Sequence, residues 1–250
     1  MDTTNLTDAD TRVAVVTGGS GGIGTVVSKR LAADGMAVAV LYAGGSSEAE
    51  KVVGSISESG GTAIAVQGDV ADADEMAAAF DRVEDEYGGI DVVVHAAGIM
   101  LLSPLESLDL DDLDRMHRVN IRGAFVVAQQ AARRVRAGGA IISFSSSVTQ
   151  LRFPTYSAYA ASKAAVEALT AVLARELRGR DITCNAVAPG PTATDLFLDG
   201  KDPNEIDDLA KAPPLERLGS PDDIAEVVSF LAGPARWVNG QTLYANGGII

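Results

Sequence analysis

The stretch Arg12-Val-Ala-Val-Val-Thr-Gly-Gly-Ser-Gly-Gly-Ile-Gly24 joins a short run of β-branched residues to a glycine-rich loop. Residues 25–32 have the composition of a helix, which ends near Gly35. A helix N-terminus behind such a loop offers free backbone N–H groups and a favourable dipole to an anion. The glycines allow a sharp turn and let the backbone approach a pyrophosphate closely. The stretch therefore predicts a strand, loop and helix that bind a dinucleotide.

The glycines of this loop fit two registers. Gly19, Gly21 and Gly24 match Gly-x-Gly-x-x-Gly, whereas Gly18, Gly22 and Gly24 match Gly-x-x-x-Gly-x-Gly. Both patterns indicate the same class of ligand, so the register does not change the prediction.

Similar strand-like runs recur along the chain and alternate with helix-like stretches. The predicted strands are Val13–Thr17, Ala37–Tyr42, Thr62–Gln67, Asp91–Val94, Ala140–Ser145, Thr183–Ala188 and Gln241–Ala245. The predicted helices are Gly22–Ala33, Ser47–Ser57, Asp72–Tyr87, Leu110–Arg136, Ala158–Leu177 and Asp222–Leu231. This alternation predicts parallel strands joined by right-handed crossovers, which is an α/β fold.

Length and charge limit what this chain can be. Its 250 residues suit a single domain from residue 12 to residue 250, after a flexible N-terminal tail at residues 1–11. The 20 basic and 34 acidic residues give a net charge of −14, which argues against nucleic acid and anionic membranes as partners. The first ten residues are acidic and polar, so we expect no signal peptide. No apolar run is long enough to span a membrane.

The cysteine and histidine content bears on location and on metals. A single cysteine, Cys184, excludes an intramolecular disulfide and suits a reducing compartment, so we expect a cytoplasmic protein. Two histidines and one cysteine do not suggest a zinc site, and no metal is expected.

Residues 189–220 interrupt the alternation of strands and helices and are rich in proline. A long interruption in a compact domain is usually a functional lid or a disordered loop. Since this one follows the carboxyl end of a strand, where ligands bind in open α/β sheets, we favour a lid over the substrate.

Tyr159 and Lys163 lie four residues apart in a stretch of good helix formers. On a helix they would project from one face, one turn apart. A nearby positive charge lowers the pKa of a phenol, which otherwise titrates near 10, so Tyr159 could serve as a general acid or base. The same spacing occurs in ordinary surface contacts, so the pair needs a second motif beside it.

Thr17-Gly-Gly-Ser-Gly-Gly-Ile-Gly24, followed by Tyr159-Ala-Ala-Ser-Lys163, resembles the short-chain dehydrogenases/reductases over nearly the whole chain. The resemblance implies a doubly wound, Rossmann-type three-layer sandwich with a seven-stranded parallel sheet. It selects the register of Gly18, Gly22 and Gly24. The segments at 215–225 and 237–248 are most similar to the 3-oxoacyl-[acyl-carrier-protein] reductase-like members, although fold and family predict the substrate poorly.

The resemblance also implies which residues contact the cofactor. They are Thr17, Gly18, Ser20, Gly22, Ile23, Gly24, Asp69, Val70, Ala97, Gly98, Tyr159, Lys163, Pro189, Gly190, Thr192 and Thr194. Asp69 corresponds to the carboxylate that accepts from the adenine amino group. Val94-His-Ala-Ala-Gly98 matches the family's Asn-Asn-Ala-Gly in its last two positions, and we interpret the departing His95 as structural.

The end of the second predicted strand bears on the choice of dinucleotide. An NAD site usually has an acidic residue here for the ribose 2′-OH, but after Tyr42 the first one is Glu48. Ser46 and Ser47 could hold a 2′-phosphate at the start of the next helix. We therefore favour NADP(H) over NAD(H), although Gly21 stands where NADP-dependent relatives often have a basic residue.

The predicted fifth strand ends in three serines at 145, 146 and 147. The family's catalytic serine precedes its tyrosine by about thirteen positions, which favours Ser146, with Ser145 and Ser147 as alternatives. Such a serine would donate to the substrate carbonyl oxygen. The resemblance further implies that Tyr159 delivers the proton, that Lys163 binds the nicotinamide ribose and lowers the pKa of Tyr159, and that Asn120 distorts its helix and holds a water.

These motifs predict an NAD(P)(H)-dependent oxidoreductase that reduces a ketone, such as a 3-oxoacyl thioester or a small ketone, to a secondary alcohol. A sugar, polyol or steroid alcohol dehydrogenase with the same tetrad is an alternative. A non-catalytic regulator that senses the dinucleotide is an alternative of another class.

We also expect self-association as a homotetramer. Relatives pack the two long helices, predicted here at Leu110–Arg136 and Ala158–Leu177, against partner chains, and use the C-terminal strand for a second interface. A sedimentation mass equal to one chain would contradict this expectation.

Overall fold

A computed structural model describes residues 11–250 of the chain. The predicted N-terminal tail, residues 1–11, lies outside the described residues except for its last member. The described chain forms one seven-stranded sheet in the order β3-β2-β1-β4-β5-β6-β7, and every neighbouring pair is parallel. The predicted α/β fold is therefore confirmed.

The helices and strands follow one another as a strand, then a crossover, then the next strand. The strands are β1 Val13–Thr17, β2 Ala37–Tyr42, β3 Thr62–Gln67, β4 Ile90–His95, β5 Val135–Phe144, β6 Thr183–Pro189 and β7 Thr242–Ala245. The α-helices are α1 Gly22–Ala33, α2 Ser46–Glu58, α3 Ala73–Tyr87, α4 Leu110–Met116, α5 Gly123–Arg134, α6 Val148–Leu151, α7 Ser157–Glu176, α8 Asp195–Leu198, α9 Pro203–Lys211 and α10 Pro221–Ala232.

Two apolar cores make the molecule a three-layer sandwich. One face of the sheet packs against α3, α5 and α7 through residues such as Phe80, Val127 and Leu173. The other face packs against α1, α2 and α10 through residues such as Leu31 and Ile224. Because both faces are covered, the central strands carry continuous apolar runs, which is why they were evident in the sequence.

The predicted helix Leu110–Arg136 ends two residues early, and its middle is irregular at the place where the resemblance implied a distortion by Asn120. The segment His117–Arg122 is a π-helix in which the N–H of Gly123 reaches the carbonyl of Arg118, five residues earlier. The helical chain ends at Arg134, and Val135 already pairs with β4.

The segment 189–220 contains two short helices, α8 and α9, that the sequence analysis did not predict. Its ends are tied together, since the Gly219 N–H donates to Pro191 O at 2.8 Å and the Ala193 N–H donates to Gly219 O at 2.9 Å. Residues 194–218 therefore form a long loop, with α8 and α9 in it, that leaves the sheet at the carboxyl end of β6.

In residues 11–250, no helix combines the length and the apolar composition that crossing a membrane requires. Cys184 is buried in β6, and burial raises the pKa of its thiol to about 12.

Candidate active site

The glycine loop after β1 is folded as tightly as its sequence suggests. Gly18 has a φ of +65°, and a Cβ at this position would lie 2.8 Å from the backbone of Ala97. A Cβ at Gly24 would lie well under 3.0 Å from the carbonyl oxygen of Gly18. These positions accept only glycine because the loop folds back on itself and on the end of β4.

The start of α1 has the donor set that a pyrophosphate needs. Its N-cap is Gly21, and no side chain caps the first turn, so the N–H groups there face outward without a side-chain partner. A Cβ on Gly22 would touch the side chain of Thr194 at 3.0 Å, which shows how closely the segment after β6 approaches this loop. An anion held here would lie between the two segments, so the residues present fit a dinucleotide phosphate.

A cleft of about 900 Å³, including its opening to solvent, lies at the carboxyl edge of the sheet. Predicted site residues from five separate segments line it together. They are Ile23, Gly98, Ser146, Tyr159, Lys163, Pro189, Gly190, Thr192 and Thr194. The structure thus brings the start of α1, the end of β4, the turn after β5, the helix α7 and the segment after β6 to one place.

Tyr159 and Lys163 occupy one face of α7, as predicted, with the Lys163 Nζ 5.7 Å from the centroid of the tyrosine ring. The Nζ donates to Phe144 O at 2.9 Å. Burial lowers the pKa of Lys163 to about 8. A backbone carbonyl at the end of β5 therefore holds the ammonium group of the lysine in place at the wall of the cleft.

That Lys163 lowers the pKa of Tyr159 stays a prediction. Burial raises the pKa of Tyr159 to about 12, and only the hydrogen bond with Ser146 opposes that rise. The desolvation of a phenolate outweighs the influence of an ammonium that is directed at a carbonyl oxygen instead. A lower pKa would require an additional positive charge in the cleft.

The structure distinguishes among the three serines after β5. Ser145 Oγ donates to Glu167 Oε1 at 2.6 Å, and Ser147 Oγ donates to Ala188 O at 3.2 Å. Both side chains are buried and engaged with the protein. All three serines line the cleft, but Ser146 is only half-buried, and its Oγ accepts a long bond of 3.4 Å from the Val148 N–H, so it is the most accessible of the three.

Asn120 is buried in the π-helical segment, and its side chain forms hydrogen bonds with the segment after β4 and with α7. Its Nδ2 donates to Ile99 O at 2.8 Å and to Ser162 Oγ at 3.0 Å, while its Oδ1 accepts from the Ile99 N–H at 2.9 Å. A Cβ on Gly98 would lie 3.3 Å from Asn120 Oδ1 and 3.4 Å from Lys163 Nζ. The amide and the ammonium therefore flank the same glycine.

Four predicted cofactor residues lie at the carboxyl ends of β2 and β3. Tyr42 ends β2, Ser46 and Ser47 begin α2, and Asp69 follows β3. The Asp69 Oδ2 accepts from Arg118 Nη1 at 2.7 Å, so the carboxylate predicted to meet adenine already has a partner. Ser46 and Ser47 are exposed in the first turn of α2, and Tyr42 is half-buried.

Of three other predicted cofactor residues, two are buried and one is half-buried. The Thr17 hydroxyl is buried and bonds to His95 Nδ1 at 2.9 Å. The Val70 side chain is buried against Gly123, and Ser20 is half-buried in the glycine loop.

A family model described as Enoyl-(Acyl carrier protein) reductase matches residues 18–250. The chain belongs to the short-chain dehydrogenase/reductase family. A short-chain type dehydrogenase/reductase from Picea abies is 42% identical over 248 residues, which cover 95% of this chain and 92% of the relative. An NADPH-dependent aldehyde reductase-like protein, chloroplastic, from Arabidopsis thaliana is 38% identical, with 96% of this chain and 94% of the relative covered.

A solved structure of a short-chain dehydrogenase from Burkholderia cenocepacia in complex with NADP is 41% identical to this chain. It aligns with a TM-score of 0.89 over 95% of this chain and 97% of its own. This short-chain dehydrogenase/reductase is accordingly an NAD(P)-dependent oxidoreductase.

His95 is one of the two positions, with Ala96, at which this short-chain dehydrogenase/reductase departs from the Asn-Asn-Ala-Gly motif of its family. It is buried at the end of β4, and its bond with Thr17 links β4 to β1. Burial, with a smaller contribution from the charge of Lys163, lowers the pKa of His95 to about 3. The imidazole is therefore neutral in the folded protein, in keeping with a structural role.

We expect His95 to make folding sensitive to mild acid. Below its ordinary pKa of about 6.5, the unfolded chain binds a proton that the folded chain excludes, so stability present above pH 6.5 falls as the pH approaches 3. At pH 5.5 the loss is about 1.4 kcal/mol. Urea unfolding at pH 7.5 and 5.5 measures it, and His95→Asn should remove this part of the pH dependence. An equal loss in both proteins would contradict the assignment.

The sequence analysis missed several residues that the structure brings to the site. Met100 and Leu209 line the cleft from the loop after β4 and from α9. Arg118 forms an ion pair with Asp69, which lies 49 residues earlier in the sequence, and no local sequence pattern predicts such a distant pair. Glu167 could have been found, because it lies one helical turn beyond Lys163 on the same face.

Proposed function

We propose that this enzyme reduces a ketone to a secondary alcohol with NADP(H). The observation that carries the proposal is the convergence of Ser146, Tyr159 and Lys163 at one end of a cleft that the glycine loop also lines. In this arrangement an uncharged donor and a proton source face the same carbonyl position. Reductase names among the relatives support the same direction of reaction.

Each side chain has one task in this reaction. The Ser146 hydroxyl donates to the substrate carbonyl oxygen, and the Tyr159 hydroxyl delivers a proton to it as negative charge develops. When bound, NADPH supplies the hydride. Lys163 holds the nicotinamide ribose, and Asn120 fixes the backbone at Ile99 that borders the lysine. Thr192 and Thr194, in the segment after β6, hold the nicotinamide side of the cofactor.

The preference for NADP(H) rests on the region after β2 and on the relatives. Ser46 and Ser47 are exposed at the N-terminus of α2, where they can donate to a 2′-phosphate. Glu48 also lies in this turn, within 3.8 Å of Lys51, and works against an added negative charge. NADP in the Burkholderia structure and NADPH in the name of the Arabidopsis relative favour the phosphorylated form.

The wall of the cleft favours a carbonyl substrate with an apolar body. Leu151, Phe153, Tyr156, Leu196 and Phe197 line it. The aromatic rings continue outward from Tyr159, with edge-on contacts at 6.4 Å to Tyr156 and 5.8 Å from there to Phe153. We propose that residues 189–220 act as the lid that carries Leu196 and Phe197.

The apolar wall of the cleft helps to choose among the alternative substrates. A sugar or polyol would leave many hydroxyl groups without partners against such a wall, so it is the weaker alternative, whereas a steroid alcohol would fit it. A 3-oxoacyl thioester fits through its acyl chain. The retention of the serine, tyrosine and lysine argues against a non-catalytic sensor.

We further propose a homotetramer in the cytoplasm. Phe125 on α5 and Val172 on α7 are each 53% exposed, and Trp237 near the C-terminal strand is fully exposed. Large exposed apolar side chains on these elements fit the two interfaces expected from the family resemblance.

A ketone panel tests the proposed function. NADPH and NADH oxidation would be followed with an acetoacetyl thioester, an activated aryl ketone and a ketose. We expect turnover of the aryl ketone or the thioester, with a kcat/KM for NADPH at least about tenfold above that for NADH. NADPH binding without turnover of any carbonyl compound would instead support the sensor.

A further inference from the structure

One acidic side chain connects the catalytic helix to the turn that carries Ser146. Glu167 lies on α7 one turn beyond Lys163, and it is half-buried. Its Oε1 accepts from Ser145 Oγ at 2.6 Å and from Thr149 Oγ1 at 3.0 Å. One carboxylate oxygen thus holds two hydroxyls that lie on either side of Ser146 in the sequence.

These two bonds leave the Ser146 turn little freedom. Thr149 also approaches the Ser146 carbonyl, at 3.1 Å from its Oγ1, and its own N–H donates to that oxygen at 3.2 Å. Ser145 is buried directly after β5, so its bond to Glu167 fixes the residue that precedes the catalytic serine. Hydrogen bonds to a carboxylate are shorter and stronger than those between neutral groups.

We propose that Glu167 is a positioning residue that sets the distance and orientation of Ser146 relative to Tyr159. The inference rests on the proposed function, because it concerns how the hydroxyls of Ser146 and Tyr159, which both line the cleft, are placed relative to each other. Glu167 touches neither the substrate nor the cofactor site in this account. It acts through Ser145 and Thr149, and it belongs to the same helix as the tyrosine, so helix and turn move as one unit.

The pKa of Tyr159 gives a readout that a merely structural role would not move. The Ser146 hydrogen bond is what lowers the pKa of Tyr159 against the effect of burial. If Glu167 is removed, the Ser146 turn loosens, the bond weakens and phenolate formation moves to higher pH. Loss of general stability alone would not shift that titration.

The test compares Glu167→Ala with Glu167→Gln and with Glu176→Ala. The glutamine keeps an oxygen that accepts from both hydroxyls, and Glu176 is an exposed carboxylate on the same helix with no place in the site. With NADPH and a ketone that the enzyme turns over, we expect Glu167→Ala to lower kcat about 30-fold with the NADPH Kd unchanged. Glu167→Gln should recover kcat to within about threefold of the parent.

A titration keeps the inference separate from the proposed function. The phenolate absorbance of the full-length protein saturated with NADP⁺ would be followed against pH, with the Tyr159→Phe spectrum subtracted. We expect the midpoint to rise by about one pH unit in Glu167→Ala and to stay unchanged in Glu176→Ala. An unchanged midpoint in Glu167→Ala would overturn the inference, even in a protein that reduces no ketone. Absence of ketone turnover in the parent would count against the proposed function alone.

Discussion

Tyr159→Phe is expected to lower kcat for ketone reduction by about 1000-fold while NADPH binds as before. The substitution removes one oxygen from a half-buried ring and is expected to leave the shape of α7 and its packing unchanged. The lost hydroxyl is the proton source in the proposed reaction, and Ser146 loses its partner at the same time. Stopped-flow measurement of NADPH oxidation, together with fluorescence titration of NADPH, separates chemistry from binding.

Tyr156→Phe is the matched control for this variant. Tyr156 contacts Tyr159 edge-on, lines the same cleft and is half-buried, and burial likewise raises its pKa. Its hydroxyl has no part in the proposed proton transfer, so we expect its removal to change KM more than kcat. Near-normal turnover by Tyr159→Phe would refute the proposed role of this residue, whatever the control does.

Gly24→Ala is expected to disrupt the cofactor loop more than any other single methyl group added there. The new Cβ would lie well under 3.0 Å from the Gly18 carbonyl oxygen and 2.9 Å from the Gly18 carbonyl carbon. Both are backbone atoms, so no side chain can rotate away and the loop itself must shift. We expect a loss of about 2–3 kcal/mol in the free energy of unfolding.

The same shift displaces the N–H groups at the start of α1, so the NADPH Kd should rise by roughly 100-fold. Urea unfolding and isothermal titration calorimetry measure the two effects. Gly54→Ala is the control, because Gly54 lies on the exposed face of α2 with open space around the added Cβ. There we expect a gain of about 0.5–1 kcal/mol. Wild-type stability and binding in Gly24→Ala would show that the loop is not held in this form.

The correct predictions share a physical origin in local patterns. Strands β1, β2 and β4 are mostly apolar and almost entirely buried because both faces of the sheet are covered, and that pattern is visible in the sequence itself. The glycine loop between β1 and α1 was evident because its conformation requires residues without a Cβ. The spacing of Tyr159 and Lys163 needed only helix geometry.

Features that depend on distant contacts were mispredicted or left open. The partners of Asn120 in the π-helical segment, Ile99 and Ser162, lie 21 and 42 residues away and were not predicted. The raised pKa of Tyr159 depends on burial by the assembled cleft.

By itself the sequence determined the order of strands and helices, the dinucleotide loop and the pairing of Tyr159 with Lys163, because these follow from periodicity and short-range sterics. Only the tertiary structure distinguished among the three adjacent serines that line the cleft, since Ser145 and Ser147 are buried and bonded to Glu167 and to β6, whereas Ser146 is half-buried. Burial and hydrogen bonding between distant segments are properties of the folded chain, and they select among residues that the sequence alone leaves equivalent.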